Sequence, residues 1–306
     1  MEIAVMGAGA VGCYFGGMLA RAGHDVTLVA RPVHVEAIRR AGLLMETLTF
    51  REHVRLRAST DFCALSTAQL VLFCVKATDT ELTGAAIAPF LIPDCMVLSL
   101  QNGVDAAERL QPILGRPVLA SVVRVAAEMV APGHVRQQGG GELKLADGQA
   151  GCRVSAVLGP AGIPVHLTDN LPGAQWTKLG VNCAFNALSA VAQQPFGPLL
   201  MAEGVHELMQ ELMLECLAVA CAAGVEVADD PWEALRRTGS QSAQYSSMAQ
   251  DLARGRPTEI DHLNGHVVRL GAKLGVPTPA NRSLQVVIKL IETRGAEAAA
   301  RLRLSQ

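Results

Sequence analysis

The chain has 306 residues, 50% of them hydrophobic and 18% charged, with 26 Lys and Arg against 28 Asp and Glu for a net charge of −2. That length holds two domains with substantial cores, and the composition excludes a largely disordered protein. A near-neutral balance without a long basic run offers nothing to nucleic acid or to an anionic membrane surface.

Glu2-Ile3-Ala4-Val5-Met6 reads as a β-strand running into Gly7-Ala8-Gly9-Ala10-Val11-Gly12. A strand feeding a G-x-G-x-x-G turn that opens an apolar helix is the dinucleotide-binding arrangement. The first glycine makes the turn, the second lets the backbone approach a pyrophosphate, and the third lets helix and strand pack closely. The helix N-terminus then offers N–H groups and a partial positive charge to the phosphates. The segment lacks the basic n-region of a signal peptide, and the glycines interrupt its apolar run.

Asp25 to Ala30 is a second strand that completes a βαβ unit. Where an NAD-binding chain places a carboxylate against the ribose 2′-hydroxyl, this one reads Ala30-Arg31-Pro32. An uncharged residue followed by Arg suits a 2′-phosphate, so NADPH/NADP is the expected cofactor, with Arg31 as its phosphate partner. Pro32 to Ala41 follows as a helix stopped by Gly42, and Leu43 to Arg57 reads as a β-rich insertion.

Leu70 to Val75 is a continuous apolar run, as a parallel strand covered on both faces requires. It is followed by a helix to about Pro89, the strand Met96 to Leu100, and a helix over Ala106 to Leu114. Val118–Val130 and His134–Ala146 suggest a ribbon turning at Ala131-Pro132-Gly133. A last βα-like unit ends near Val165-His166-Leu167. This alternation predicts an α/β fold, an N-terminal Rossmann-type doubly wound sheet. Lys76 and Asn102 fall just past strand ends, where such sheets bind ligands.

Beyond Thr168-Asp169-Asn170-Leu171-Pro172-Gly173 the chain reads as helices throughout: Ala174–Ala192, Glu203–Ala223, Trp232–Thr238, Ser247–Arg254, Glu259–Leu274 and Asn281 to about Arg303. The expected domains are therefore 1–168, binding NADP, and 169–306, an all-helical C-terminal domain for substrate and catalysis. The most apolar helical stretch, Leu208 to Gly224, carries Glu211 and Glu215 and is too short for a bilayer. Eight cysteines are scattered without a C-x-x-C pair, the pattern of reduced thiols in a cytoplasmic protein.

Lys178, Asn182 and Asn186 recur at i, i+4 and i+8, so they share one face of a helix whose other positions are mostly apolar. Ser247 and Gln250 have capping-box spacing at the start of another helix, and Glu259 falls in the first turn of the next. Spacing alone favours those structural roles. His262 and His266 lie four apart, but without an HExxH pattern or a supporting cysteine no metal site is expected.

Taken together, Gly7–Gly12, Ala30-Arg31, Val75-Lys76, Gln101-Asn102-Gly103, the helix Trp176–Asn186, Ser246-Ser247-Met248-Ala249-Gln250-Asp251, Thr258-Glu259-Ile260-Asp261 and Asn264-Gly265 resemble the ketopantoate reductase family. The resemblance implies NADPH-dependent reduction of a small 2-keto acid, ketopantoate to pantoate. Lys178 becomes the general acid, and Glu259 the partner of the substrate hydroxyl or of neighbouring polar groups. It further implies that Asn182, Asn186 and Ser247 hold substrate, that Asn102 lies between nicotinamide and substrate, and that Arg31 and Lys76 meet the cofactor's phosphates. Gln244 stands where ketopantoate-reducing members often carry Asn, and the longer side chain reshapes the expected carboxylate pocket. A reductase for another 2-keto acid on the same scaffold and a non-catalytic NADP-sensing protein are the alternatives. A homodimer is one option for assembly.

Overall fold

The computed structural model describes residues 1–227, 230–239 and 243–304. The chain divides into two compact units, Met1–Leu171 and Pro172–Gln306. In the first unit the strands are β1 Glu2–Met6, β2 Asp25–Val29, β3 Leu43–Glu46, β4 Arg51–Val54, β5 Arg57–Ser59, β6 Leu70–Phe73, β7 Met96–Ser99, β8 Val118–Leu119, β9 Ser121–Ala131, β10 His134–Ala146 and β11 Val165–Thr168. Its helices are α1 Ala10–Arg21, α2 Pro32–Ala41, α3 Thr80–Ile87, α4 Ala106–Leu114 and α5 Gln149–Leu158.

Six strands form a parallel sheet in the order β5-β2-β1-β6-β7-β8. Successive side chains of a strand point to opposite faces, and both faces here are apolar. Ile3 and Val5 join one core with Phe15, Leu28, Leu70 and Leu72; Ala4 and Met6 join another with Val29, Val71 and Phe73. Double coverage is why the β6 run shows no polar alternation. The order reverses beside β1, so the carboxyl ends of β1, β2, β6 and β7 open on one edge of the sheet.

The segment Leu43–Arg57 is more than a local insertion. Its first two strands pair with each other, β3 pairs parallel to β10, and with β9 and β11 they build a second, five-stranded sheet. Arg57 opens β5, which instead extends the main sheet beside β2. Local pattern gives strand content; such pairings, some 90 positions apart, depend on tertiary packing.

The second unit comprises α6 Leu171–Ala192, α7 Phe196–Leu200, α8 Val205–Ala222, α9 Pro231–Gly239, α10 Ser247–Ala253, α11 Asn264–Leu274 and α12 Pro279–Leu304. Phe185 of α6 packs against Phe196 of α7, ring centroids 4.7 Å apart and tilted by 50°, within a core that includes Val181, Leu199, Met209 and Met213. A Cβ on Gly180 would stand 2.5 Å from the Met213 sulfur, so the glycine lets α8 lie close against α6. The helix expected from Glu259 begins as a short 3-10 turn over Ile260–His262, and the α-helix proper starts at Asn264. Among the described residues no helix is long and apolar enough to cross a membrane.

Candidate active site

In the first unit the candidate surface is made largely of backbone. Gly7 adopts φ +104°, and a Cβ there would stand 2.9 Å from the Cys74 carbonyl carbon and the Val75 nitrogen. The β1–α1 turn is thus pressed against the end of β6. A Cβ on Gly12 would collide with the Gly7 carbonyl oxygen, so the first turn of α1 folds directly over the loop. Nothing lies within 4 Å of where a Gly9 Cβ would be. Gly9 is the α1 N-cap and no side chain caps it, which leaves an open cradle lined by first-turn backbone. Ala8 is buried beneath it, while Ala10 and Val11 are half-buried at its rim.

Two thiols sit under this loop, Cys13 donating to the Ala8 carbonyl oxygen at 3.4 Å. Burial pushes Cys13 up to about 12 and raises Cys74 as well, so both stay protonated and act as packing groups. Arg31 follows β2 as the α2 N-cap and is exposed. Lys76, exposed, follows β6, and Asn102, half-buried, follows β7. The sheet order brings the glycine turn, Arg31, Lys76 and Asn102 to the carboxyl ends of four adjacent strands. The open Gly9 cradle, the uncapped helix and the cationic residue beyond β2 fit a dinucleotide bearing a 2′-phosphate.

In the second unit the candidate surface is made of side chains. Lys178 and Asn182 are half-buried on α6, and Asn186, two turns on from Lys178, is only 6% exposed. Two segments dock on this helix. The first carries Gln244 and Ser247: Ser246 donates from Oγ to the Asn186 carbonyl oxygen at 3.0 Å, and its N–H donates to Ser189 Oγ at 3.2 Å. Nearby, the Phe196 N–H donates to the Gln244 carbonyl oxygen at 3.0 Å.

Here the capping assignment shifts by one residue. Ser246, not Ser247, is the N-cap of α10, its Oγ accepting from the Ala249 N–H at 2.9 Å, so the Ser247–Gln250 capping box does not form. Of two adjacent serines, Ser246 is the one buried against α6, and its hydroxyl serves the cap and the Asn186 carbonyl together. Ser247, released from capping, is exposed at the first helical position.

The second segment carries Glu259, which is 5% exposed. Asn264 fastens it to α6, donating to the Cys183 carbonyl oxygen at 3.2 Å and to Asn281 Oδ1 at 3.0 Å. Asn281 in turn donates to Glu215 Oε2 at 2.7 Å, while the Ala280 and Asn281 N–H groups donate to the same carboxylate at 2.8 and 2.9 Å. On the other side of Glu259, Glu292 accepts from both the N–H and the hydroxyl of Thr258 at 2.7 Å. Asp261 accepts from Gln285 at 2.8 Å and pairs with Lys289 at 3.0 Å. Burial raises the Asp261 carboxyl, but these two donors outweigh it and hold it below the usual range. Neither Ser246 nor the Asn264–Asn281–Glu215 chain stands out by spacing; Ser246 and Asn264 enter the sequence reading only within the motifs that carry the resemblance, and Glu215 only as an acidic residue in an apolar helix. His266 packs its ring on Trp176 at 6.0 Å, and among the described residues no group of three or more His, Cys, Asp or Glu is placed to hold a metal.

Residues 3–150 match the family described as ketopantoate reductase PanE/ApbA, and residues 170–292 match its C-terminal domain. The chain belongs to this family. It is 31% identical to the 2-dehydropantoate 2-reductase of Pyrococcus horikoshii, over 96% of this chain and 99% of that protein. The crystal structure of a PanE/ApbA family ketopantoate reductase from Ralstonia eutropha JMP134 superposes with a TM-score of 0.93 at 52% identity, covering 97% of this chain and all of the other. A ternary structure of D-mandelate dehydrogenase with NADH and anilino(oxo)acetate gives a TM-score of 0.89 at 26% identity, covering 97% and 100%.

Proposed function

We propose that this chain reduces 2-dehydropantoate (ketopantoate) to pantoate with NADPH, in pantothenate and coenzyme A biosynthesis. The observation that carries the reading is α6, which lines up Lys178, Asn182 and Asn186 and receives both the Ser246–Ser247 segment and the Glu259 segment. Residues 1–168 form the NADP-binding domain and 169–306 the substrate and catalytic domain. NADPH, when bound, supplies the hydride to the carbonyl carbon. The Gly7–Gly12 loop binds its pyrophosphate, Arg31 and Lys76 bind phosphate, and Asn102 orients the nicotinamide end.

As the carbonyl oxygen gains charge, the Lys178 ammonium stabilises it and delivers the proton from Nζ. Ser247 and Gln244 hold the substrate carboxylate, and Asn182 and Asn186 hold its polar edge. Glu259, fixed by the hydrogen bonds that flank it, accepts from the substrate hydroxyl. The eight free cysteines suit a reducing compartment, and we place the enzyme in the cytoplasm, with a homodimer as its assembly.

A site built to bind a hydroxyl rejects the analogue that lacks it by up to about 10⁴–10⁵-fold. NADPH consumption is therefore expected to show a far higher kcat/KM with ketopantoate than with 2-keto-3,3-dimethylbutyrate. Comparable values would overturn hydroxyl recognition. The likeness to a D-mandelate dehydrogenase and the presence of Gln244 support a second reading, a reductase for another 2-keto acid on the same scaffold. Improvement of ketopantoate turnover by Gln244→Asn would favour it.

A further inference from the structure

At the carboxyl edge of the parallel sheet lies a buried polar group with no role yet. Gln101, 6% exposed, sits where β7 gives way to the loop of Asn102. Its Nε2 donates to the Val75 carbonyl oxygen at 3.1 Å and to Thr80 Oγ1 at 2.7 Å, and its Oε1 accepts from Ser99 Oγ at 3.1 Å. Both amide protons and the carbonyl are thus engaged. Thr80 passes the link on, donating to the Ala77 carbonyl oxygen at 3.0 Å. Arg109 of α4 donates to the same oxygen at 2.8 Å while holding Glu81 at 2.7 Å.

These bonds converge on one place. Val75 and Ala77 flank Lys76, so the carbonyls on both sides of Lys76 are pinned, one directly by Gln101 and the other through Thr80 and Arg109. Lys76 itself stays exposed. We infer that Gln101 is a positioning residue for the cofactor: it locks the strand-end loop of Lys76 to that of Asn102 and so fixes the backbone from which Lys76 reaches phosphate. This rests on the assignment of Lys76 to the NADPH phosphates.

The chemistry asks for glutamine. Glutamate would oppose its charge to the Val75 carbonyl and has no protons for Thr80, asparagine is one methylene short, and methionine fills the space but leaves buried partners unsatisfied. Pinning the backbone on either side of a long side chain lowers the ordering cost when phosphate binds, which is how a residue that touches no ligand changes affinity.

The test is a double-mutant cycle on NADPH affinity, read by the change in NADPH fluorescence on titration with the full chain, without turnover. Gln101→Met is expected to weaken binding about tenfold in the natural background, the effect of losing one or two buried hydrogen bonds, and much less in a Lys76→Ala background. If Gln101→Met does not fold by circular dichroism, Thr80→Val removes the other end of the same link and takes its place in the cycle. An equal loss in both backgrounds means that Gln101 acts on affinity independently of Lys76 and overturns the inference. An unchanged affinity in the Gln101 variant, with Lys76→Ala weakening binding, overturns it too but leaves the cofactor site standing. An unchanged affinity in Lys76→Ala removes the assignment of Lys76, and the inference goes with it.

Discussion

The two units build their functional surfaces from different material. In Met1–Leu171 the cradle is backbone: Gly7, Gly9 and Gly12 matter for what they lack, and the side chains past β2, β6 and β7 ornament strand ends that the sheet brings together. In Pro172–Gln306 the surface is side chains on α6, and the segments that complete it are held by buried polar groups. A backbone cradle needs fixed turns and close packing, so it tolerates many sequences with glycines in the right places. A side-chain site depends on particular hydrogen bonds, so small polar substitutions far from the reacting atoms can move it.

That contrast predicts where each kind of damage appears. The largest effect belongs to the side-chain half. Lys178→Ala removes the proposed proton donor from α6 without touching the glycine loop, so kcat should fall about 10²–10⁴-fold, the usual worth of general acid catalysis, while NADPH affinity stays near its natural value. Single-turnover kinetics beside a binding titration separates the two. Turnover within a few-fold of the natural chain would make Lys178 structural. A parallel loss of NADPH binding would erase the division of labour.

Legibility in the sequence followed the same division. The strand, the G-x-G-x-x-G turn and the alternation of β and α elements carry their geometry in local spacing, and the four central strands of the parallel sheet, β2, β1, β6 and β7, are ones that spacing predicts; the short edge strands β5 and β8 are not, because they join it only through pairing with β2 and β7. The second sheet was half legible: β3, β4, β9 and β10 read as strands, but the pairing of β3 with β10 unites segments far apart in the chain. On α6 the i, i+4, i+8 pattern marked one face, because helical periodicity is local too. The groups that hold the flanking segments were not legible. Ser246 against Ser247 is decided by which serine is buried on α6, and Asn264 against any other helix-start asparagine by Cys183 and Asn281, none of them neighbours in sequence.

A smaller effect tests the backbone half. A backbone cradle makes no contact that tells a 2′-phosphate from a 2′-hydroxyl, and a D-mandelate dehydrogenase of the same fold has been seen with NADH. Discrimination must then come from a side chain, and Arg31 is the cation that begins α2. Arg31→Ala should weaken NADPH binding by about 1.5–3 kcal/mol, as for a charge-assisted hydrogen bond, and leave NADH nearly unaffected. Titration with both cofactors measures the ratio. Equal affinities for the two in the natural chain would move the source of discrimination away from β2.

The smallest effect separates two adjacent residues. Ser246 Oγ accepts from the Ala249 N–H and donates to the Asn186 carbonyl oxygen, so Ser246→Ala loses an N-cap and a tie to α6 together. Loss of a cap costs about 1 kcal/mol, and the second bond adds a comparable amount because it leaves a buried carbonyl short of a donor. Ser247 is exposed and caps nothing, so Ser247→Ala should leave the denaturation midpoint within about 0.5 kcal/mol of the natural chain. Its cost should fall instead on KM for the 2-keto acid, where a carboxylate partner is lost, with the affinity for NADPH unchanged. Denaturant unfolding and substrate kinetics on the two single variants therefore give opposite patterns. The same pattern in both would mean that the two serines share one function, and that the division between holding the site and touching the substrate does not reach down to neighbouring residues.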